Sequence, residues 1–350
     1  SCQPAGVPPD GCFEGFVHDG DAGCEPVLPA EPCPKGLMAV PGETECHEVA
    51  PCGSGTWGDI PVEASTKHVD ASYAGGNSDG SATKPWTTIG EAVAAAGEGA
   101  IVAVAAGSYQ EDVVIQGKAV RLWGRCPALV EVVGTGADVG AVLILEGASG
   151  TEVRSLAVRG ESLGLWLSGS QEIVLESVWI HDNADRGANI QDDLGPTRIE
   201  VRGSLVETSH EIGVFVAGSE VTVEATVVRD TLPNALGNFG RGLSVQPNPS
   251  TGTSSTLHLR GSLIEKNRQV GVYVSGSEAT IEATVVRDTL PDANGGGRGF
   301  EVQPDPETNA PSALHLRGSL VEKSCQTGVF VEGSEATIEA TVVRDTLPDA

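Results

Sequence analysis

GSEATIEATVVRDTLPDA occupies residues 276–293 and returns letter for letter at 333–350, and a near copy, GSEVTVEATVVRDTLPNA, starts at Gly218. Between the copies runs a second related segment: RGSLVETSHEIGVFV from Arg202, RGSLIEKNRQVGVYV from Arg260 and RGSLVEKSCQTGVFV from Arg317. The repeating unit is therefore a pair of segments, 57–58 residues long. Repetition at such a period marks an architecture built by stacking.

Aligned on the hydroxyl that precedes the apolar run, the segments fall at Ser155, Ser177, Ser204, Thr226, Ser262, Thr284, Ser319 and Thr341, with steps of 22, 27, 22, 36, 22, 35 and 22 residues. About 22 residues suffice for one coil of three short strands. The longer steps hold the same coil plus loops. Within a coil, GVYVS (271–275), ATIEA (279–283) and TVVRD (284–288) alternate apolar and polar residues and are rich in β-branched side chains, a strand pattern. Equivalent strands of successive coils then lie parallel and in register, about 4.8 Å apart. The expected fold is all-β, a parallel β-helix of three-strand coils in two-coil repeats.

The same alignment predicts charge pairing. Two residues before the hydroxyl column stand Arg202, Glu224, Arg260, Glu282, Arg317 and Glu339; three residues after it stand Glu207, Arg229, Glu265, Arg287, Glu322 and Arg344. A third column reads Asp230, Lys266, Asp288, Lys323 and Asp345. Sign alternates in each, so every side chain meets opposite charges on the neighbouring coils, which stabilises the pairing and sets its register. These charges are assigned to structure rather than to catalysis.

A formal charge of −27 excludes the basic footprint that nucleic acid demands. Six of the eight cysteines, Cys2, Cys12, Cys24, Cys33, Cys46 and Cys52, crowd into a Gly- and Pro-rich leader. That density reads as a disulfide framework, with zinc a weaker alternative because no C-x-x-C pair occurs. Cys126 is a candidate to join the framework, leaving Cys2 spare and open to carrying a lipid anchor. Cys325 stands where the equivalent coil has Arg268 and is expected at the surface. No run of about 20 apolar residues is present. The expectation is an exported chain, extracellular or at the cell surface.

Residues 1–60 read as the cystine-stapled module and 61–350 as the β-helix. The latter divides into a cap with first coils (61–140), irregular coils (141–197) and the paired repeats (198–350). Thr88 and Glu91 form a capping box for a helix over Ile89–Ala96. Lys84-Pro85-Trp86-Thr87-Thr88-Ile89, Glu91-Ala92-Val93 and then Gly107-Ser108-Tyr109 with Glu111 resemble the opening coil of pectin-lyase-like β-helix proteins, which include the pectin methylesterases. With its Cys-rich leader, the chain resembles exported bacterial β-helix repeat proteins. The resemblance covers about residues 68–350 and implies right-handed coiling with the helix capping the open end. It implies little about activity, and no segment matches the Asp-bearing catalytic segments of the esterases with their Gln and Arg partners.

Two sets of residues are candidates for chemistry. The middle outward position of one strand reads Trp166, Asn189, Phe215, Ser244, Tyr273, Glu301, Phe330. Its rings, Trp166, Phe215, Tyr273 and Phe330, form a candidate sugar-stacking stripe, the last three spaced two coils or about 9.6 Å apart; loops folding over them are the competing expectation. The second set lies in HDNADRGANIQDD (181–193): His181, Asp182, Asp185, Asp192 and Asp193. These carboxylates suit glycoside hydrolysis or Ca²⁺, though turn aspartates commonly serve the backbone. In the paired repeats, insertions recur at 232–242 with 246–256 and at 290–299 with 303–313. The chain stops in mid-coil, where more chain or another molecule is expected to cover the end. The leading expectation is a non-catalytic structural or adhesive rod that binds glycans or other copies of itself. A polysaccharide lyase, hydrolase or esterase is the alternative.

Overall fold

The computed structural model describes residues 6–8, 10–21 and 23–347. The chain winds as a right-handed parallel solenoid of three sheets, in which every third strand of the sequence is the neighbour, except that Lys67–Val69 pairs with the very next strand, Ala100–Val104. The ring sheet has nine strands, from Val113–Ile115 to Thr327–Val331; the open sheet has eleven, from Lys67–Val69 to Glu335–Glu339; the covered sheet has ten, from Gly107–Gln110 to Val342–Arg344. The two longer charge columns are in register throughout: Arg260 pairs with Glu224 on one side and Glu282 on the other, and Arg229 with Glu207 and Glu265. The third column departs from expectation. Asp230, Lys266, Asp288, Lys323 and Asp345 all have φ of 52–53°. They sit in left-handed turns after the strand, and among the described residues they form no ion pair from coil to coil.

The inward residues, such as Val272, Val274, Ala279, Ile281 and Val286, are at most 1% exposed and build one continuous core. Each buried Val or Ile contributes about 1.5–3 kcal/mol. At the corners, buried hydroxyls replace missing ladder partners. The backbone N–H of Thr226 donates to Ser262 Oγ at 3.2 Å, and that of Thr284 to Ser319 Oγ at 3.1 Å. The strand that opens each ring-sheet coil carries glycine for a steric reason. A Cβ on Gly271 would lie 2.7 Å from the carbonyl oxygen of Gly299, and one on Gly242 would lie 2.6 Å from that of Gly271.

A helix forms over Ile89–Ala95, one residue shorter than expected, and buries Ile89, Ala92 and Val93. The Thr88 hydroxyl accepts from the Glu91 N–H, but the next N–H groups, of Ile89 and Gly90, are satisfied by the carboxylate of Glu111 at 2.7 and 2.8 Å. Disulfides join Cys12–Cys24, Cys33–Cys46 and Cys52–Cys126, so Cys126 ties the leader to the solenoid. Cys2 lies outside the described residues. Cys325 is buried rather than at the surface, because the 288–297 loop of the preceding coil folds over it and packs Gly297 against its Cβ.

The cystine-rich module lies along the outside of the covered sheet. Its Phe16, Cys24, Met38 and Val49 pack on an outward column of Leu205, Val227, Leu263, Val285 and Leu320. Arg229 reaches out from that sheet to the carbonyls of Cys33, Pro34 and Leu37, each at 3.0 Å. The Lys35 Nζ meets Asp182 at 2.6 Å, and Arg344 pairs with Glu25. One of the three outer faces is thus occupied within the chain itself.

Candidate functional site

The ring sheet carries the seven-residue column in the expected order, each member the register partner of the next from Trp166 through Phe330. The rings do not stand open. An arginine from the preceding coil lies over each of the last three: Arg186 over Phe215 at 4.1 Å, Arg241 over Tyr273 at 3.8 Å and Arg298 over Phe330 at 4.2 Å. Phe215 and Tyr273 are buried, and Trp166 and Phe330 half-buried. All three guanidiniums are anchored in turn, Arg186 Nη1 on Asn189 at 2.8 Å, Arg241 Nε on Gln269 at 2.6 Å and Arg298 Nε on Gln326 at 2.8 Å. Cation–π contacts of this kind stabilise by about 0.5–2 kcal/mol, and here they occupy the face a sugar would need.

The loops on the two edges of this sheet behave differently. On one edge successive long loops bond to each other, Ala293 N–H to Gly237 O at 2.9 Å and Asn294 Nδ2 to Asn238 Oδ1 at 2.7 Å, and close into a wall. On the other edge, long connections (192–197, 247–255, 304–312) alternate with the two-residue turns Gly218-Ser219 and Gly276-Ser277. Each short turn becomes the floor of a cleft whose walls are long loops two coils apart. One cleft, about 280 Å³, has Gly276 and Ser275 below, Asn248 and Ser254 on one wall, and Asp305 and Thr308 on the other. The second, about 520 Å³, has Gly218 and Ser219 below, Asp192 and Arg198 on one wall, and Thr251 and Ser254 on the other. The two are equivalent positions one repeat apart, and they share the 247–255 loop.

The walls are held by their own hydrogen bonds. Asn248 N–H donates to Thr253 O at 2.9 Å, and the equivalent Asp305 N–H to Ala310 O at 2.8 Å. The Thr308 hydroxyl donates to Asp305 at 2.6 Å; that bond, with those from the Glu307 and Thr308 N–H groups, holds the Asp305 carboxyl below the usual carboxylate range. Of the four rings, Tyr273 reaches a cleft by its edge, where its hydroxyl accepts from Gln303 Nε2 at 2.6 Å. A rigid trough lined with hydroxyl, amide and proline surface suits a polyhydroxylated ligand, because ordered donors and acceptors lose little entropy on binding.

The acidic stretch 181–193 does not converge. Asp182 follows a covered-sheet strand and faces the module: burial pushes its carboxyl up, but hydrogen bonds from Lys35, His181 and Thr208 outweigh this and hold it at about 2. His181 stacks on Trp179 at 3.8 Å, and burial lowers its pKa against the opposing pull of Asp182 and Glu131. Asp185 caps its own turn, accepting from the Arg186 N–H at 2.8 Å. Asp192 and Asp193 lie at the other edge of the ring sheet. Asp192 accepts from Asn248 Nδ2 at 2.6 Å and from Thr251 Oγ1 at 2.8 Å, and Asp193 from Asn248 at 2.8 Å. Among the described residues no three His, Cys, Asp or Glu side chains gather as a metal would require.

The covered face went unread in the sequence although its signal was present. In VVR, LIE and LVE two consecutive apolar residues occur, and a strand buried on one face needs only one of them. The clefts were legible in part, as insertions at one phase of the repeat.

No sequence-family model matches the chain, and a search of curated proteins finds no match. Solved structures do match. An alginate lyase from Paenibacillus sp. str. FPU-7 superposes with a TM-score of 0.55 at 10% identity, over 75% of this chain and 95% of that one. Tailspike protein 2 of an Escherichia coli bacteriophage, CAB120, gives 0.53 at 14% identity, over 78% of this chain but 37% of its own length. A pectin methylesterase in complex with a hexasaccharide gives 0.48 at 12% identity, over 75% of this chain and 80% of that one. The first two show the fold, a parallel β-helix.

Proposed function

We propose that this chain is an extracellular, polysaccharide-directed β-helix protein that holds carbohydrate in the clefts between its long loops. The observation that carries the reading is the pair of equivalent clefts, each with a Gly-Ser turn as floor and hydroxyl- and amide-bearing loops as walls. A rod that served only as a spacer has no use for loops inserted at one phase of every second coil. Three disulfides support an oxidising compartment, and among the described residues no helix is long and apolar enough to cross a membrane. The likeness to the Paenibacillus alginate lyase supports a polysaccharide-directed role over a purely structural one.

The test replaces residues 304–312 by Gly-Ser, the turn that neighbouring coils already use, and compares oligosaccharide binding by calorimetry. Wild type binds, and the variant loses binding at the smaller cleft while its far-ultraviolet circular dichroism stays unchanged. A broad panel of glycans with no binder among them ends the proposal.

A second reading, cleavage or de-esterification of the bound polysaccharide, is favoured by one observation: the carboxylates of Asp192 and Asp193 stand together beside the larger cleft. Product release from pectins and related polymers that disappears in Asp192→Asn and Asp193→Asn selects this reading. Release that persists in both variants removes it.

A further inference from the structure

The clefts carry an electrostatic signature that narrows what they accept. Asp192 and Glu220 line the larger cleft, and Asp305 and Glu307 the smaller. The cation at the larger cleft, Arg198, is neutralised by Glu220 at 2.6 Å, and no Lys or Arg lines the smaller. Asp305 is held ionised by its own loop, and Glu307 beside it is exposed. The whole chain adds a charge of −27, so the field over the clefts repels anions before contact. Recognition of a carboxylated sugar needs the opposite, a free Arg or Lys for fork or point-charge pairing. The three arginines of the ring sheet cannot supply it, because Arg186, Arg241 and Arg298 are committed to the rings below them.

We infer that the clefts take uncharged, hydroxyl-rich saccharides and reject polyuronates; the inference rests on the carbohydrate reading above. In a cleft of this kind the carboxylates act as acceptors for sugar hydroxyls, as Asp192 already does for the Thr251 hydroxyl. Charge-assisted bonds of that type are stronger than neutral ones, and the same oxygens turn a uronate away.

Calorimetric titration of the intact chain with neutral hexasaccharides of glucose, mannose and xylose, and with a hexamer of galacturonic acid, tests this. Titrations are run in EDTA, at about 0.01 M and about 1 M ionic strength, where charges are felt over about 30 Å and about 3 Å. A neutral hexasaccharide binds with an affinity that salt hardly changes. The uronate hexamer binds at least about tenfold more weakly at low salt, and the gap narrows at high salt. Glu307→Gln, which removes one charge from the lining of the smaller cleft, strengthens uronate binding several-fold at low salt and reduces its dependence on salt. Uronate binding in EDTA that equals or exceeds neutral binding overturns the charge inference and leaves the carbohydrate site standing. Binding by neither class overturns the site itself.

Discussion

Arg229 and Glu207 meet at 2.6 Å with side chains only 3% and 2% exposed, so this rung of the charge ladder is buried beneath the cystine-rich module. Glu207 also accepts from Gly36 N–H and Trp179 Nε1, both at 2.9 Å. Breaking a buried, hydrogen-bonded pair costs about 3–5 kcal/mol because the remaining charge is stranded. Arg229→Met and Glu207→Gln are each expected to lower stability by that order and to expose residues 14–50 to protease. In contrast Arg260→Ala, on the open sheet where the pair with Glu224 is 4.0 Å long and half exposed, moves stability by less than about 1 kcal/mol. Equal shifts of the denaturation midpoint for both sites contradict this assignment.

Acid is expected to loosen the same interface in two stages. The folded-state pKa of His181 lies below the ordinary 6.5 because burial disfavours its charged form. The unfolded chain therefore takes that proton first, and stability is lost as pH falls below about 6.5. His68 is shifted the same way by burial and adds to this limb. The facing groups are Asp182 at 2.9 Å, Glu131 at 3.5 Å with Arg159 behind it, Trp179 and, through Asp182, Lys35. Asp182, held at about 2 against an ordinary 3.8, contributes above that ordinary value, and its share disappears between about 4 and 2. His181→Gln flattens part of the upper limb and also weakens the lower one, since His181 is one of the three partners that hold the Asp182 carboxyl down; Lys35 and Thr208 keep the remainder. An unchanged profile of thermal midpoint against pH rules out His181 as a source.

The glycine stack is expected to be intolerant of a single methyl group. In Gly271→Ala the new Cβ meets the Gly299 carbonyl at 2.7 Å, a backbone atom that cannot swing aside. Overpacking of this kind costs about 1–3 kcal/mol. Gly295→Ala, in an exposed loop with open space around it, is the control for the clash, although its left-handed φ of 82° makes it mildly unfavourable. The difference between the two is read by chemical denaturation.

Phe300 is fully buried in the column that holds Leu243 and Val272 on earlier coils. Phe300→Ala is expected to cost about 3–5 kcal/mol. Phe300→Leu, which installs the side chain of the equivalent position in the preceding repeat, is expected to cost less than about 1.5 kcal/mol. Similar losses for the two changes show that the coils are not equivalent inside.

Cys52–Cys126 closes a loop of 74 residues between module and solenoid. Removing it with Cys52→Ser and Cys126→Ser together is expected to cost about 4 kcal/mol. Hydrogen exchange is expected to speed up around residues 52–66 with the later coils unaffected. Uniform acceleration along the solenoid places the disulfide's role elsewhere.

Period, strand identity and rung-by-rung register are legible in the sequence, because a one-residue slip would turn Val272 and Val274 outward and unpair Arg260 at once. Two features are not. Whether Tyr273 is open depends on the bend of Arg241, 32 residues earlier on another coil, and column position says nothing about rotamer. The cover over Leu205 and Val227 comes from a segment with no periodicity of its own, so only the doubly apolar strands hinted at it.

Alternation of sign at each turn has a consequence for how such a gene can change length. Recombination between near-identical units is easy, yet excising one 22-residue turn, such as that carrying Glu282, would leave Arg260 facing Arg317 and do the same in the adjacent ladder. Excising a whole 57-residue pair rejoins opposite charges and preserves the rhythm of long and short corners. The core tolerates either event, since Leu259, Ile281 and Leu316 are interchangeable in size. Electrostatics, not packing, therefore confines the rod to even numbers of added or lost turns.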